Sequence, residues 1–184
     1  MPVPPRRPLK TERLVLRPTT GADAGRAFEI QSDWEVTRML RMAAFPPDLS
    51  ATEAWFSDHG REWLTGEACR FAVEVENRVV GLVDIDEIAD AEGELGYWFE
   101  RSVWGFGYAS EAARAAIRFA FEEIGLSVLK SGHAEDNPAS GRILVKLGFH
   151  YIDTVDRFSR PRGENIRQCR YALAAAGGYA TGAG

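Results

Sequence analysis

The sequence predicts an α+β domain, on three observations. Helical and strand-like stretches are segregated along the chain: three helical stretches come first, then a run of strands, then a strand–loop–helix–strand–helix unit and two last strands. The pivot is Gly93 to Phe121, where Tyr97, Trp98 and Phe99 favour a strand. Directly afterwards Ala112, Ala113, Ala116, Ile117, Ala120 and Phe121 recur at helical spacing. Finally, 184 residues, 45% hydrophobic and 27% charged, can bury one sizeable core and are short for two domains.

In chain order, Pro2 to Pro8 predicts an extended leader (residues 1–9), and the alternation from Glu12 to Arg17 a first strand ended by Pro18. Asp23 to Gln31 and Asp33 to Met42 predict two short helices before the break at Phe45-Pro46-Pro47. Ser50, with Glu53 three residues on, predicts a capped helix to Leu64. Arg70 to Glu76 and Arg78 to Ile88 alternate as strands about a turn at Glu76-Asn77, with Gly81 marking a bulge. After a polar turn at Ala89 to Gly93 come the aromatic strand and a helix ending near Ile124, before Gly125. A strand at Val128 to Ala134 and a helix from Pro138 to Leu147 follow. Phe149 to Phe158 and Ile166 to Leu173 complete the sheet, closing a single domain over residues 10–173. The small residues from Ala174 to Gly184 predict a flexible tail.

The net charge of −5 argues against a nucleic-acid surface and mildly favours cationic substrates. Cys69 and Cys169 give neither a disulfide framework nor a metal-ligand spacing, so no metal is expected and both read as buried strand residues in a reduced compartment. No apolar run reaches membrane-span length, and the proline-rich start lacks the apolar core of a signal peptide, so a cytoplasmic protein is expected.

The turn Trp104-Gly105-Phe106-Gly107-Tyr108-Ala109 joins the aromatic strand to its helix. Glycines admit a ligand close to the backbone, and a helix N-terminus presents unpaired N–H groups, so the turn reads as an anion cradle or as a plain connector. No Gly-Lys-Ser/Thr follows, and the third glycine of a dinucleotide fingerprint is missing. The stretch resembles the acetyl-CoA loop of the GNAT superfamily of N-acetyltransferases, Gln/Arg-x-x-Gly-x-Gly/Ala, with Gly107 and Ala109 in the last two defined positions. Trp104 stands where Gln or Arg is usual. That departure is similar to the Rim-type branch, as are Gly96-Tyr97-Trp98 and the opening Thr11-Glu12-Arg13-Leu14. Asn137-Pro138-Ala139-Ser140, followed by Lys146-Leu147-Gly148-Phe149, matches a second family motif, and the resemblance covers Lys10 to Leu173.

The resemblance implies a mixed, mainly antiparallel sheet with a splayed central strand pair and helices on both faces. It implies acetyl-CoA as co-substrate and direct attack by a primary amine, either a protein N-terminal α-amine or a small-molecule amine. Backbone of Tyr97, Trp98 and Phe99 would follow the pantetheine, and Gly105, Phe106, Gly107, Tyr108, Ala109 and Ser110 would surround the pyrophosphate. Asn137 would contact the pantetheine, although it also reads as the cap of the Pro138 helix. Arg142 and Lys146 would pair with phosphate or belong to a solvated helix face. Glu94 is the expected base, with His133 as runner-up; a lone strand histidine also reads as structural. Gly132 stands where some relatives carry a glutamate base, and Leu144 where many carry a tyrosine acid. Ser140 inherits the acid's role by resemblance, or is simply a first-turn serine. The missing tyrosine and glutamate leave open an alternative, a catalytically weak acyl-CoA-binding or sensing module. Trp34, Met39, Phe45, Trp55 and Trp63, on the early helices and the break after them, read as core or as acceptor pocket. Family members often dimerise, so the resemblance admits a homodimer.

Overall fold

Tyr97, Trp98 and Phe99 do form a strand, and the sheet is built outwards from it. The computed structural model describes residues 3–175. The strands are β1 (Leu9–Lys10), β2 (Val15–Pro18), β3 (Cys69–Val75), β4 (Arg78–Ala89), β5 (Glu92–Phe99), β6 (Val128–Ala134), β7 (His150–Ser159) and β8 (Glu164–Ala174). The helices are α1 (Ala24–Gln31), α2 (Trp34–Thr37), α3 (Leu49–Thr65), α4 (Tyr108–Phe119) and α5 (Pro138–Lys146). One eight-stranded sheet runs in the order β1-β2-β3-β4-β5-β6-β8-β7. Every neighbouring pair is antiparallel except β5 and β6, which α4 connects as a crossover. Among the described residues no helix is long and apolar enough to cross a membrane.

Strand alternation sorts the side chains into two cores. Val83, Ile85, Leu95 and Phe99 join Ala112, Ala116 and Phe119 of α4 in the larger cluster. Leu82 instead packs with Ala24 and Ala27 of α1 and Phe56 of α3, and Trp98 rests against that smaller cluster. Residues in step with Leu82 on β4 and Trp98 on β5 therefore face α1 and α3. Trp63 is 1% exposed and Trp55 packs on the smaller cluster, so both serve as core, while Trp34 and Phe45 meet as a tilted pair at 4.8 Å on the surface. Cys69 is buried on β3 and Cys169 half-buried on β8.

Several boundaries differ from the sequence expectation, for local reasons. The expected first strand starts only at Val15, because Thr11 N–H donates to the Leu14 carbonyl and makes a turn, and Leu9–Lys10 before that turn forms a short strand of its own. The third helix is capped by Asp48, whose carboxylate accepts from Ala51 N–H at 2.7 Å, not by Ser50. The second helix stops at Thr37 rather than Met42. Beyond it the Arg38 and Arg41 carbonyls accept from Arg162 Nε and Arg160 N–H of the β7–β8 turn, at 2.8 Å each. The leader is anchored, since Trp63 Nε1 donates to the Pro4 carbonyl at 2.8 Å. The tail expected from Ala174 begins as the last residue of β8, and residues 176–184 lie outside the described residues.

The register between β3 and β4 slips beside Gly81, where the bulge is expected: Val73 faces Gly81 but Glu74 faces Val79. A Cβ on Gly81 would lie 2.4 Å from the Trp98 carbonyl oxygen and 2.6 Å from the Phe99 ring. Gly81→Ala should therefore lower folding stability by about 1–3 kcal/mol, read as a fall of several degrees in Tm. His59 is fully buried against Trp55 and Phe56 with Nδ1 2.9 Å from Thr19 Oγ1, and burial pushes its pKa down to about 4. The fold holds this imidazole neutral. Its contribution is thus complete above the ordinary histidine range and drains away as pH falls through it towards 4. The Tm advantage of wild type over His59→Leu should shrink between pH 7.5 and pH 5; a constant difference would contradict it.

Candidate active site

β5 and β6 pair at only three positions, Glu92 with Val128, Gly93 with Leu129 and Glu94 with Lys130. Past them β5 stays with β4 while β6 stays with β8, and a gap opens between them. At its apex Ser131 Oγ donates to the Leu95 carbonyl at 2.8 Å, and at its mouth Trp104 Nε1 donates to the Phe99 carbonyl at 2.9 Å. Backbone groups alternate sides along a strand, so Tyr97, between those two residues, also turns its N–H and C=O into the gap. Trp98 turns its backbone to β4 and its indole to the smaller core.

The loop at the gap's mouth is shaped by Gly105 and Gly107, with φ of 83° and 81° in the left-handed region. Gly107 is the N-cap residue of α4, which leaves the N–H groups of Tyr108, Ala109 and Ser110 at the start of a twelve-residue helix. Arg13 braces this loop. Its Nε donates to Glu111 at 2.7 Å, its Nη1 to the Phe106 carbonyl at 2.9 Å, and its guanidinium lies 4.7 Å over the Tyr108 ring.

Gap and loop open into one cavity of about 690 Å³. Of the expected residues, Glu94, Tyr97, Trp98, Phe99, Gly105, Gly107, Tyr108, Ala109, Ser110, Asn137, Ser140, Arg142 and Lys146 line it. Phe106 does not: it is 60% exposed and stacks on Tyr108 at 5.8 Å. The Asn137 side chain accepts from Ser140 N–H at 3.4 Å, capping α5 at the cavity wall. Ser140 Oγ lies 2.8 Å from the Tyr97 hydroxyl, whose pKa burial pushes up to about 12. Among the described residues neither Arg142 nor Lys146 has a carboxylate partner.

His133 also reaches the cavity, but both ring nitrogens are engaged, Nδ1 by the Ala134 carbonyl at 2.7 Å and Nε2 by the Tyr171 hydroxyl at 3.3 Å. That is its structural alternative. Gly132 has no room for a side chain, since a Cβ would meet the Cys169 carbonyl oxygen at 2.9 Å, and Leu144 is fully buried core. Glu94 is half-buried at the last paired position of the seam. Burial first, then the negative charges of Glu87 and Asp86, raises its pKa, and Arg41 and Arg157 oppose the rise.

Sequence reasoning missed the network beside Glu94. Arg70, 8% exposed, donates to Glu62 of α3 and to Asp84 and Asp86 of β4. Asp84 and Asp86 line the cavity on the face shared with Gly96 and Glu94. The available signal was charge at alternating positions of an otherwise apolar strand. The hydroxyl of Tyr97 was missed too, because an aromatic strand reads as packing.

A cradle of helix N–H groups, a strand edge with open backbone groups, and Arg142 and Lys146 along the same cavity fit the diphosphate, the amide-bearing arm and the remaining phosphate of coenzyme A. Comparison with known proteins agrees. The family model described as an acetyltransferase (GNAT) domain matches residues 13–150. The uncharacterized N-acetyltransferase p20 of Bacillus licheniformis is 29% identical over 90% of this chain and 94% of its own. In fold the chain is similar to the ribosomal L7/L12 α-N-protein acetyltransferase RimL in complex with coenzyme A, with a TM-score of 0.79, 16% identity, and 89% of this chain and 95% of that one covered. It is also similar to the ribosomal-protein-S5-alanine acetyltransferase of Vibrio fischeri, with a TM-score of 0.81, 15% identity, and coverage of 91% and 96%. With its matched motifs, its splayed sheet and a family model spanning most of its length, the chain belongs to the GNAT superfamily of N-acetyltransferases, for which acetyl-CoA is the acetyl donor.

Proposed function

We propose that this enzyme acetylates a primary amine by direct attack within a ternary complex, and that the acceptor approaches from the α1–α3 face. The observation that carries this reading is the two-sidedness of the gap. The Tyr97–Ser140 hydroxyl pair and the loop lie on the α4–α5 side, whereas Glu94, Asp84 and Asp86 lie on the other. Acetyl-CoA supplies the thioester: the neutral amine nitrogen forms the C–N bond and the C–S bond breaks, and the proton that nitrogen loses as it becomes an amide balances the one taken up by the departing thiolate.

The chain's residues have three tasks in that exchange. Backbone N–H at the open edge of β5 polarises the acetyl carbonyl. Ser140, held by the Tyr97 hydroxyl, hydrogen-bonds or protonates the thiolate, replacing the tyrosine whose place Leu144 takes. Carboxylates, with Glu94 at the seam, receive the proton of the ammonium. Their burden depends on the acceptor. An α-amine with pKa near ~8 is about a tenth neutral at pH 7, whereas a lysine-type amine near ~10.4 is below about 0.1% neutral. The neighbours in fold lend support to a peptide N-terminal α-amine as the first candidate acceptor, with a small amine the second.

Release of coenzyme A thiol, measured across peptides and small amines, tests the reading; binding of acetyl-CoA without release for any amine would return the chain to an acyl-CoA-sensing role. Gly107→Glu, which puts a side chain on a left-handed backbone and a negative charge into the cradle, should weaken acetyl-CoA binding by about 100-fold or more by calorimetry. Unchanged affinity would remove the loop from the site. Ser140→Ala should lower kcat about 10–100-fold and leave acetyl-CoA affinity unaltered. An unaltered kcat would exclude Ser140 from the acid role.

A further inference from the structure

The face of β5 that carries Glu94 has a hole in it. Gly96 leaves the strand bare directly beside the apex of the gap, and Asp84, its partner across β4, fills the space: a Cβ on Gly96 would lie 2.5 Å from Asp84 Oδ1. Asp84 is 7% exposed and forms part of the cavity wall. Its other oxygen, Oδ2, accepts from Arg70 Nη1, so the carboxylate is held in place. Among the described residues Oδ1 has no hydrogen-bond partner. A free oxygen of a largely buried carboxylate therefore stands over the bare backbone between Leu95 and Tyr97, the residues that open their polar groups to the gap.

We infer that Asp84 is a catalytic carboxylate of the proposed acetyl transfer: its Oδ1 takes the proton of the acceptor's ammonium above Gly96, and Glu94 passes that proton outward. In this step an N–H bond breaks, its electron pair stays on nitrogen as the nucleophile, and an O–H bond forms on Asp84. The proton then moves to Glu94 and to solvent, restoring the carboxylate. Glu94 suits the outward position because it is less buried than Asp84 and lies within the influence of Arg41 and Arg157, which favour its charged form.

The surroundings suit a base rather than a permanent ion pair. Arg70 is shared among Glu62, Asp84 and Asp86, so one guanidinium faces three carboxylates and negative charge is left to attract an ammonium. Burial, then the neighbouring Asp86, pushes the Asp84 pKa well above the ordinary carboxylate range in spite of Arg70. A carboxylate raised in this way holds a proton more readily than an ordinary one, as a general base must. The titratable groups acting on it are Asp86 on β4, Arg70 on β3 and Glu62 on α3, while Glu87, Glu94 and Arg41 line the same cavity.

The inference rests on the proposed amine acetylation, so wild type is assayed first. Absence of thiol release with every amine overturns that reading, and Asp84's role with it. Given turnover, Asp84→Asn is compared with wild type on two acceptors: an alkylamine, charged at neutral pH, and an alkoxyamine, whose nitrogen is neutral there and needs no proton removed before attack. The expected result is a loss in kcat/KM of about 100-fold or more on the alkylamine and a much smaller loss on the alkoxyamine, with acetyl-CoA affinity retained. Glu94→Gln should cost less, about tenfold or below. Equal losses on both acceptors would mean a structural role, and a loss confined to Glu94→Gln would make Glu94 the first base; either overturns the inference. Should Asp84→Asn fail to fold, Gly96→Ala displaces the carboxylate without removing a charge. The same acceptor-dependent loss in that variant supports the role, and full activity in the folded variant overturns it.

Discussion

The parting of two parallel strands is the constraint on which the rest of this molecule depends. A backbone N–H or C=O that leaves a sheet must find another partner or face water. Here β5 and β6 separate after three residue pairs, and the ends of the exposed edge are secured by side chains, Ser131 on the Leu95 carbonyl and Trp104 on the Phe99 carbonyl. What remains open between them is a short peptide edge at Tyr97. It is rigid on one side, where β4 holds it, and receptive on the other. The amide-bearing arm of coenzyme A is complementary to such an edge, and the helix N-terminus at the mouth of the gap is complementary to its diphosphate.

Strand alternation then assigns the chemistry. Period two sends Leu95, Tyr97 and Phe99 to the α4 side and Glu94, Gly96 and Trp98 to the α1–α3 side, so one strand separates hydroxyl groups from carboxylates. On the proposed mechanism, the proton donor for the leaving thiolate and the proton acceptor for the attacking nitrogen thereby fall on opposite faces of β5. Arg70 makes the acceptor face affordable in energetic terms. Three carboxylates close together would repel one another, and a buried guanidinium holds them while leaving the cavity negative. The same negative cavity accords with a chain whose net charge is −5, and the helix N–H groups, Arg142 and Lys146 line the part of the cavity proposed for the co-substrate phosphates.

Much of this was legible in the sequence because it depends on local rules. The glycine-bearing turn between an aromatic strand and an alanine-rich helix, the Pro138 helix capped by Asn137, and the turn at Glu76-Asn77 with its positive φ values all follow from short-range conformational preferences. The mainly antiparallel sheet and the splay came through resemblance, because no local signal tells a strand where its neighbour departs. What stayed hidden was long-range. Arg70, Asp84 and Glu62 are brought together by register and helix packing, and nothing in their spacing along the chain announces it. Thr37 ends its helix because a hairpin more than a hundred residues away takes the next carbonyls, and that too is invisible to periodicity. Phe106 was read with its loop neighbours, but a side chain between two left-handed glycines points where the backbone sends it, here to solvent.

Amide hydrogen exchange at Tyr97, with and without acetyl-CoA, tests the central claim most directly. If the open edge of β5 receives the co-substrate, the Tyr97 N–H exchanges readily in the free protein, and saturating acetyl-CoA slows it strongly along with the amides of Tyr108, Ala109 and Ser110. Slowing at the loop with no change at Tyr97 would contradict the account, because the parted strands would then hold no part of the ligand.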